Sequence, residues 1–212
     1  MNTLSGCGFV AIWNDVSRGT EEDFKDWHAH EHMPERLAIP GFLRGTRWGS
    51  AQARPRYFTL YTLSGPEIAR SSPYLDRLNA PTPWTRRVMN TFRDNSRCVG
   101  DFVASLGELP GREVIVCRLH GPVTDGSLFD KIMTVEGVSG CHVGLSDAAT
   151  SALPTVERQG REVLEPQGLV IISLLPGFDK GAAVTALLPS EAAVVLATMS
   201  VELDMKAAQD TV

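Results

Sequence analysis

No stretch of this sequence approaches the ~20 consecutive apolar residues that a membrane-spanning helix requires, so a membrane partner is not expected. Residues Met1 to Gly8 hold no basic run and no long apolar segment, which predicts no secretory signal and a cytoplasmic protein. Basic residues are in deficit as well. Twenty lysines and arginines face 25 acids, the net charge is −5, and Arg86-Arg87 is the one adjacent basic pair. A nucleic-acid surface needs a clustered positive face, so nucleic acid is not an expected partner either. Cysteine is scarce, with Cys7, Cys98, Cys117 and Cys141 far apart and no CxxC. Three of the four sit in apolar, strand-like stretches, the setting of small core residues in a reducing compartment. The chain carries no glycine-rich phosphate loop, no nucleophile elbow and no dinucleotide fingerprint.

What is present is an ordinary globular balance, 43% hydrophobic and 21% charged, enough to build a core without covalent staples. The apolar pattern predicts a strand at Phe9 to Val16. A helix follows from Glu21 to His32, capped by Thr20 and opened by Glu21, Glu22 and Asp23, where the helix dipole favours acids. Pro34 either kinks that helix or restarts it. Strands are predicted at Phe42 to Trp48 and Arg56 to Leu63, a helix at Pro66 to Asn79, a further helical turn or two at Trp84 to Phe92, and a strand at Arg97 to Leu106. The order is β-α-β-β-α-β, the ferredoxin-like pattern. After a linker at Gly107 to Gly111 it repeats, with strands at Glu113 to Leu119, Glu136 to Gly144, Leu169 to Leu175 and Ala193 to Leu203, and helices at Ser127 to Val135 and Asp179 to Leu188. Glu136 to Gly144 aligns with Pro40 to Trp48.

The expected architecture is therefore α+β, two tandem ferredoxin-like repeats over 1–107 and 112–212. One such sheet leaves an apolar face bare, and two packed face to face bury it. All four tryptophans and all three tyrosines fall in the first repeat. That repeat is the candidate site-bearing half, and the second is expected to be structural.

The candidate chemistry sits on the first helix, where three of the five histidines fall within His28 to His32. At about 100° per residue, Phe24, Trp27, His28 and Glu31 share one arc, His32 lies at its edge and His30 points away. A helix normally fills its inward face with Leu, Ile or Val. A carboxylate and an imidazole there would be costly unless paired, and burial would move their proton affinities into a useful range. His28, Glu31, His32 and Asp15 are thus the candidate catalytic residues. Glu31 has an alternative use in a buried network with Arg36, Arg47 or Tyr57. Trp13, Trp27, Arg36, Arg47, Tyr57, Tyr61 and Trp84 are candidate substrate-binding residues for a flat, apolar ligand, and Trp48 and Tyr74 could join them. His28 and His32 have the i, i+4 spacing of a metal-binding pair, but no third ligand is identified, so no metal site is assigned. His120 and His142 are read as core histidines of predicted strands.

Ile12 to Val16, Phe24-x-x-Trp27-His28-x-x-Glu31-His32-Met33-Pro34-Glu35-Arg36-Leu37, Pro40-Gly41-Phe42 and Leu78 to Trp84 together resemble the EthD-like branch of the dimeric α+β barrel superfamily. The resemblance covers roughly residues 9 to 105 and is faint beyond. It implies a barrel of two ferredoxin-like units, here within one chain, a pocket between helices and sheet, and a setting in the catabolism of small organic compounds. It carries over Trp27, Glu31, His32 and Arg36 as site-shaping positions. The common pattern has tyrosine and asparagine where His28 and Ala29 stand, so the chain departs from it there. The function expected is a small-molecule enzyme using His/Glu acid–base chemistry without an organic cofactor, of isomerase, lyase or hydrolase type. A metal- or haem-dependent enzyme on the same fold, or a non-catalytic binding protein, are the alternatives. A homodimer is possible through exposed edge strands.

Overall fold

The computed structural model describes residue 4 and residues 7–107, 109, 111–121, 128–178, 193–195 and 198–208. The first repeat runs β1 (Gly8–Val16), α1 (Glu21–Trp27), a π-helical turn (His28–His32), α2 (Met33–Leu37), β2 (Phe42–Gly49), β3 (Tyr57–Leu63), a 3-10 turn (Pro66–Arg70), α3 (Ser72–Asn79), α4 (Pro83–Met89) and β4 (Phe92–Gly107). The second runs β5 (Glu113–Leu119), α5 (Leu128–Met133), β6 (Val138–Ser146), α6 (Ala148–Ser151), a 3-10 turn (Val156–Arg158), β7 (Gly168–Leu174), β8 (Ala193–Val195) and β9 (Met199–Lys206). The predicted helix at 179–188 lies outside the described residues. His120 stands exposed just past the end of β5, not within a core strand as expected, whereas His142 is fully buried on β6.

The strands form one antiparallel sheet in the order β7-β6-β4-β1-β3-β2-β9-β5-β8, and the pairing of β5 with β7 closes it. β8 and β9 pair in succession along the same edge of β5, Val195 opposite Cys117 and Ser200 opposite Glu113, so the barrel has eight staves. The halves are joined reciprocally. β2 of the first pairs with β9 of the second, and β4 of the first with β6 of the second. A duplicated detail supports the alignment of Pro40–Trp48 with Glu136–Gly144. Gly41 and Gly137 both hold positive φ, 92° and 88°, just before their strands. A register shift then follows at Phe42/Arg44 in β2 and at Val138/Gly140 in β6. Glycine alone adopts that left-handed backbone without a Cβ penalty.

Alternation along the strands sorts side chains to the two faces. Phe9, Ala11, Trp13, Phe58, Leu60, Val114, Val116, Leu169 and Ile171 point inward and fill the barrel. Their neighbours point outward beneath the helices. In the second half that outer layer is apolar: Ile115, Cys117, Val170 and Ile172 pack on Leu128 and Ile132 of α5. In the first half it is not wholly apolar, and a cavity opens there. The cysteines agree with the core reading. Cys98, Cys117 and Cys141 are buried and free, and burial pushes their thiols up, Cys141 to about 12. Among the described residues, no helix is long and apolar enough to cross a membrane.

Candidate active site

The cavity lies outside the barrel, between the outer face of the first-half sheet and its helices. Its floor is Val10, Ile12 and Asn14 of β1, Thr59 and Tyr61 of β3, and Asn95 and Arg97 of β4. One wall is Phe24, Trp27, His28, His32 and Arg36; another is Tyr74, Leu75 and Leu78 of α3. The third comes from the second half, whose connection between β6 and β7 contributes Thr155, Glu157 and Arg161. The second half, expected to be structural, thus also supplies a wall of this cavity.

The π turn determines which helical residues face inward. It advances each residue by less than the 100° of an α-helix, so His28 and His32, four apart, come onto one face and both are buried. The same change of phase turns Glu31 away. Glu31 does not line the cavity; it accepts hydrogen bonds from Thr82 (2.6 Å) and Thr85 (3.1 Å) at the start of α4. Thr85 in turn accepts from the Trp27 indole at 3.1 Å. This network holds helix to helix, and its partners are not the arginines or tyrosine expected from the sequence. His30 is exposed, as its phase predicts, with Nδ1 2.9 Å from the Asp26 carbonyl.

His28 is held at both nitrogens. The Arg47 guanidinium lies 2.9 Å from Nδ1, and Tyr61 Oη lies 3.2 Å from Nε2. A guanidinium only donates, so Nδ1 must be the acceptor and Nε2 must carry the proton. His28 then donates to Tyr61, whose own hydroxyl hydrogen is left to point at a ligand. Arg47 is oriented from behind by Glu202, with Nε donating to the carboxylate at 3.2 Å. Burial and the nearby Arg47 and Arg36 hold the His28 imidazole well below its ordinary range, which fits the neutral tautomer. Replacing Arg47 with Met should release this constraint. Imidazole 15N shifts of His28 should show one tautomer in the wild type and a mixture in the variant; a single unchanged tautomer would rule the constraint out.

His32 differs. Its ring packs on Trp27 with centroids 4.3 Å apart, and its Nδ1 is buried without a hydrogen-bond partner. Burial, with Arg36, His28 and Arg161 nearby, keeps it neutral and well below the usual imidazole range. It is one of four orphans in the same place. Seven buried side-chain polar atoms lack a partner among the described residues, and His32 Nδ1, Arg36 Nη1, Asn95 Oδ1 and Thr155 Oγ1 all belong to the cavity lining. Asn95 follows Asp94, whose φ of 48° is in the left-handed region. Such backbone outliers cluster at functional sites. Arg36 is ion-paired to Glu157 across the halves, and it lies 5.8 Å from the Tyr74 ring centroid.

Of the other expected residues, Trp27, Arg36 and Tyr61 line the cavity and Tyr74 joins them. Arg47 stands one layer behind. Asp15 is outside, bound to Arg56 at 2.5 Å. Trp13 and Trp48 belong to the barrel interior. Tyr57 packs against Phe24 and lines a separate surface hollow, and Trp84 donates to Asp23 at 2.9 Å. The sequence reading missed Asn95, Arg97, Thr155, Glu157 and Arg161. The first two lie on the predicted fourth strand or just before it. The other three lie in a connection with no periodicity to mark it. As a metal pair, His28 and His32 do not fit, because both nitrogens of His28 are engaged. Among the described residues, no three His, Cys, Asp or Glu side chains converge as a ligand set.

No protein-family model matches the chain, and no curated protein sequence does. Solved structures do. An anthrone oxidase-like protein superposes with TM-score 0.59 at 11% identity, covering 98% of each chain. A candidate monooxygenase from Lactobacillus acidophilus NCFM superposes with TM-score 0.53 at 8% identity, covering 95% of this chain and 97% of that one. A similar candidate from Fusobacterium nucleatum gives 0.51 at 8% identity, with 95% of each covered. At such identities the likeness is one of fold, and with the closed eight-stave barrel it places this chain among proteins of the dimeric α+β barrel fold, both barrel halves being carried on one polypeptide.

Proposed function

We propose that the chain is a small-molecule enzyme that removes a proton from an acidic C–H or O–H group of a compact, flat substrate and returns it at another atom, without an organic cofactor. The observation that carries this is that four buried polar atoms without a partner among the described residues all belong to side chains lining one largely apolar cavity. Buried polar groups are nearly always bonded, so a cluster of exceptions in one place marks where a ligand would bond.

The roles follow from the geometry. His32 is neutral with a free nitrogen, so it is the base. Proton transfer to it makes an imidazolium in the cavity wall, beside the anion left on the substrate. Tyr61, receiving a hydrogen bond from His28, donates its own hydrogen to the oxygen on which that charge collects. Arg36 lies within the same wall and adds a fixed positive charge, worth more here than in water. His28 already carries its proton on Nε2 and has no free lone pair, so it is a positioning residue for Tyr61. The names of the structural neighbours, an anthrone oxidase-like protein and candidate monooxygenases, support enzyme action on a small molecule.

The test is exchange. The purified protein, checked for metal by elemental analysis and for haem by its visible spectrum, would be incubated in D2O with 2,4-pentanedione and with anthrone, with and without oxygen. Deuterium uptake above the buffer rate by a colourless, metal-free sample is the expected result. Thermal stabilisation by either compound with no exchange would instead make the protein a binder. Activity that tracks a bound metal or haem would overturn the proposal.

A further inference from the structure

The cavity's charge is unbalanced. Among its lining residues the one carboxylate is Glu157, and three guanidinium groups, Arg36, Arg97 and Arg161, act on it electrostatically. A fourth lining arginine, Arg158, is paired with Glu165. Three positive charges against one negative leave a formal excess of two around a partly enclosed cavity. Arg36 takes Glu157 as its partner, yet its Nη1 remains unbonded. Among the described residues, Arg97 hydrogen-bonds only to neutral groups, the Tyr74 hydroxyl at 3.2 Å and the Ser151 carbonyl at 3.4 Å. Arg161 likewise donates to the Glu157 backbone carbonyl and to the Met89 sulfur, and lies over the Phe92 ring at 5.7 Å. Guanidinium groups stay charged at any working pH; Arg36 is buried and Arg97 and Arg161 are half-buried, and charges drawn out of water without enough counter-charge are costly. The surrounding walls are Phe24, Trp27, Tyr74 and Leu78.

We infer that the ligand of this cavity is a carboxylate-bearing ring compound, its ring against Trp27 and Tyr74 and its anionic group on Arg36, Arg97 and Arg161. The inference rests on the same cavity as the proposed function and narrows its substrate class. Glu157 then has a second meaning. It presents to Arg36 the group that the ligand also carries, so it competes with the ligand for the cations.

Benzoate and benzamide have nearly the same shape and differ in charge, so calorimetric titration of the full chain with each tests the inference directly. Benzoate is expected to bind at least tenfold more tightly, with affinity falling as salt rises. Arg161→Met should weaken benzoate and leave benzamide unchanged. Glu157→Gln, which removes the competing charge while keeping a hydrogen-bond acceptor, should strengthen benzoate several-fold. Equal binding of the two compounds, or binding of neither, overturns the inference, as does a Glu157→Gln variant that folds without gaining benzoate affinity. The readout is independent of turnover. Proton exchange on the carbon acids with no preference for benzoate would sink the anion site and leave the His32 base standing; benzoate selectivity with no exchange would do the reverse.

Discussion

Replacing His32 with asparagine should reduce proton exchange on the substrate by about 10²–10⁴-fold, the usual contribution of a positioned general base. Asparagine keeps the side chain polar and compact; it gives up the ring contact with Trp27 but leaves the other cavity walls in place. The base assignment fails if His32→Asn exchanges as fast as the wild type while remaining folded. The same variant has a signature in stability. His28 and His32 are buried and held neutral, with proton affinities well below the ordinary 6.5, so the unfolded chain binds more protons than the native one as pH falls below that value. Stability must therefore fall with acidification, beginning near pH 6.5 and continuing down to the native-state values. Each histidine contributes a slope of about 1.4 kcal/mol per pH unit. His32→Asn removes one of the two. Urea midpoints measured at pH 7.5, 6 and 5 should thus drop more shallowly for the variant than for the wild type. Glu157 works in the opposite sense: burial raises its carboxyl against the pull of Arg36, so protonating it at lower pH stabilises the native state and blunts the acid limb. Parallel curves for the two proteins would mean that His32 is not buried as a neutral imidazole.

The barrel was legible in the sequence because its signals are periodic. Phe9 to Val16 is an apolar, β-prone run, Arg56 to Leu63 alternates, and a positive-φ glycine precedes both β2 and β6. The site was only half legible. Trp27, His28, His32, Arg36 and Tyr61 follow from a helix with the wrong residues on its inward face, opposite an aromatic strand. Glu31 was misplaced because a 3.6-residue period was applied across a stretch that winds as a π turn, and no residue in His28 to His32 announces that change of pitch. Glu157 and Arg161 were missed for another reason. They lie in an irregular connection more than 120 residues from Arg36 in sequence, where neither period 2 nor period 3.6 exists to be read. Only the closure of the barrel, β4 against β6, carries that connection over the first-half cavity.

Arg36→Met should have the largest effect on stability. The side chains of Arg36 and Glu157 are 3% and 7% exposed, so solvent screens the pair little, and the discount that applies to surface ion pairs does not apply here. Removing the arginine leaves a carboxylate buried opposite an apolar side chain, at a cost of about 3–5 kcal/mol, a large share of the ~5–15 kcal/mol that holds a typical domain. Methionine keeps most of the length and the contact with Tyr74, so little of the loss would come from packing. The double variant Arg36→Met/Glu157→Leu isolates the charge. With both groups gone no buried ion is stranded, and most of the stability should return, because well-packed apolar replacements of buried ion pairs are often neutral. Exchange activity and benzoate selectivity should not return with it, since Arg36 supplies both the fixed charge beside Tyr61 and part of the anion site. Denaturant unfolding of the two variants beside the wild type measures the first expectation, and exchange and titration on the double variant measure the second. A double variant as unstable as the single one would mean that Arg36 matters for shape, and a stable double variant that still exchanges protons and prefers benzoate would remove Arg36 from the chemistry.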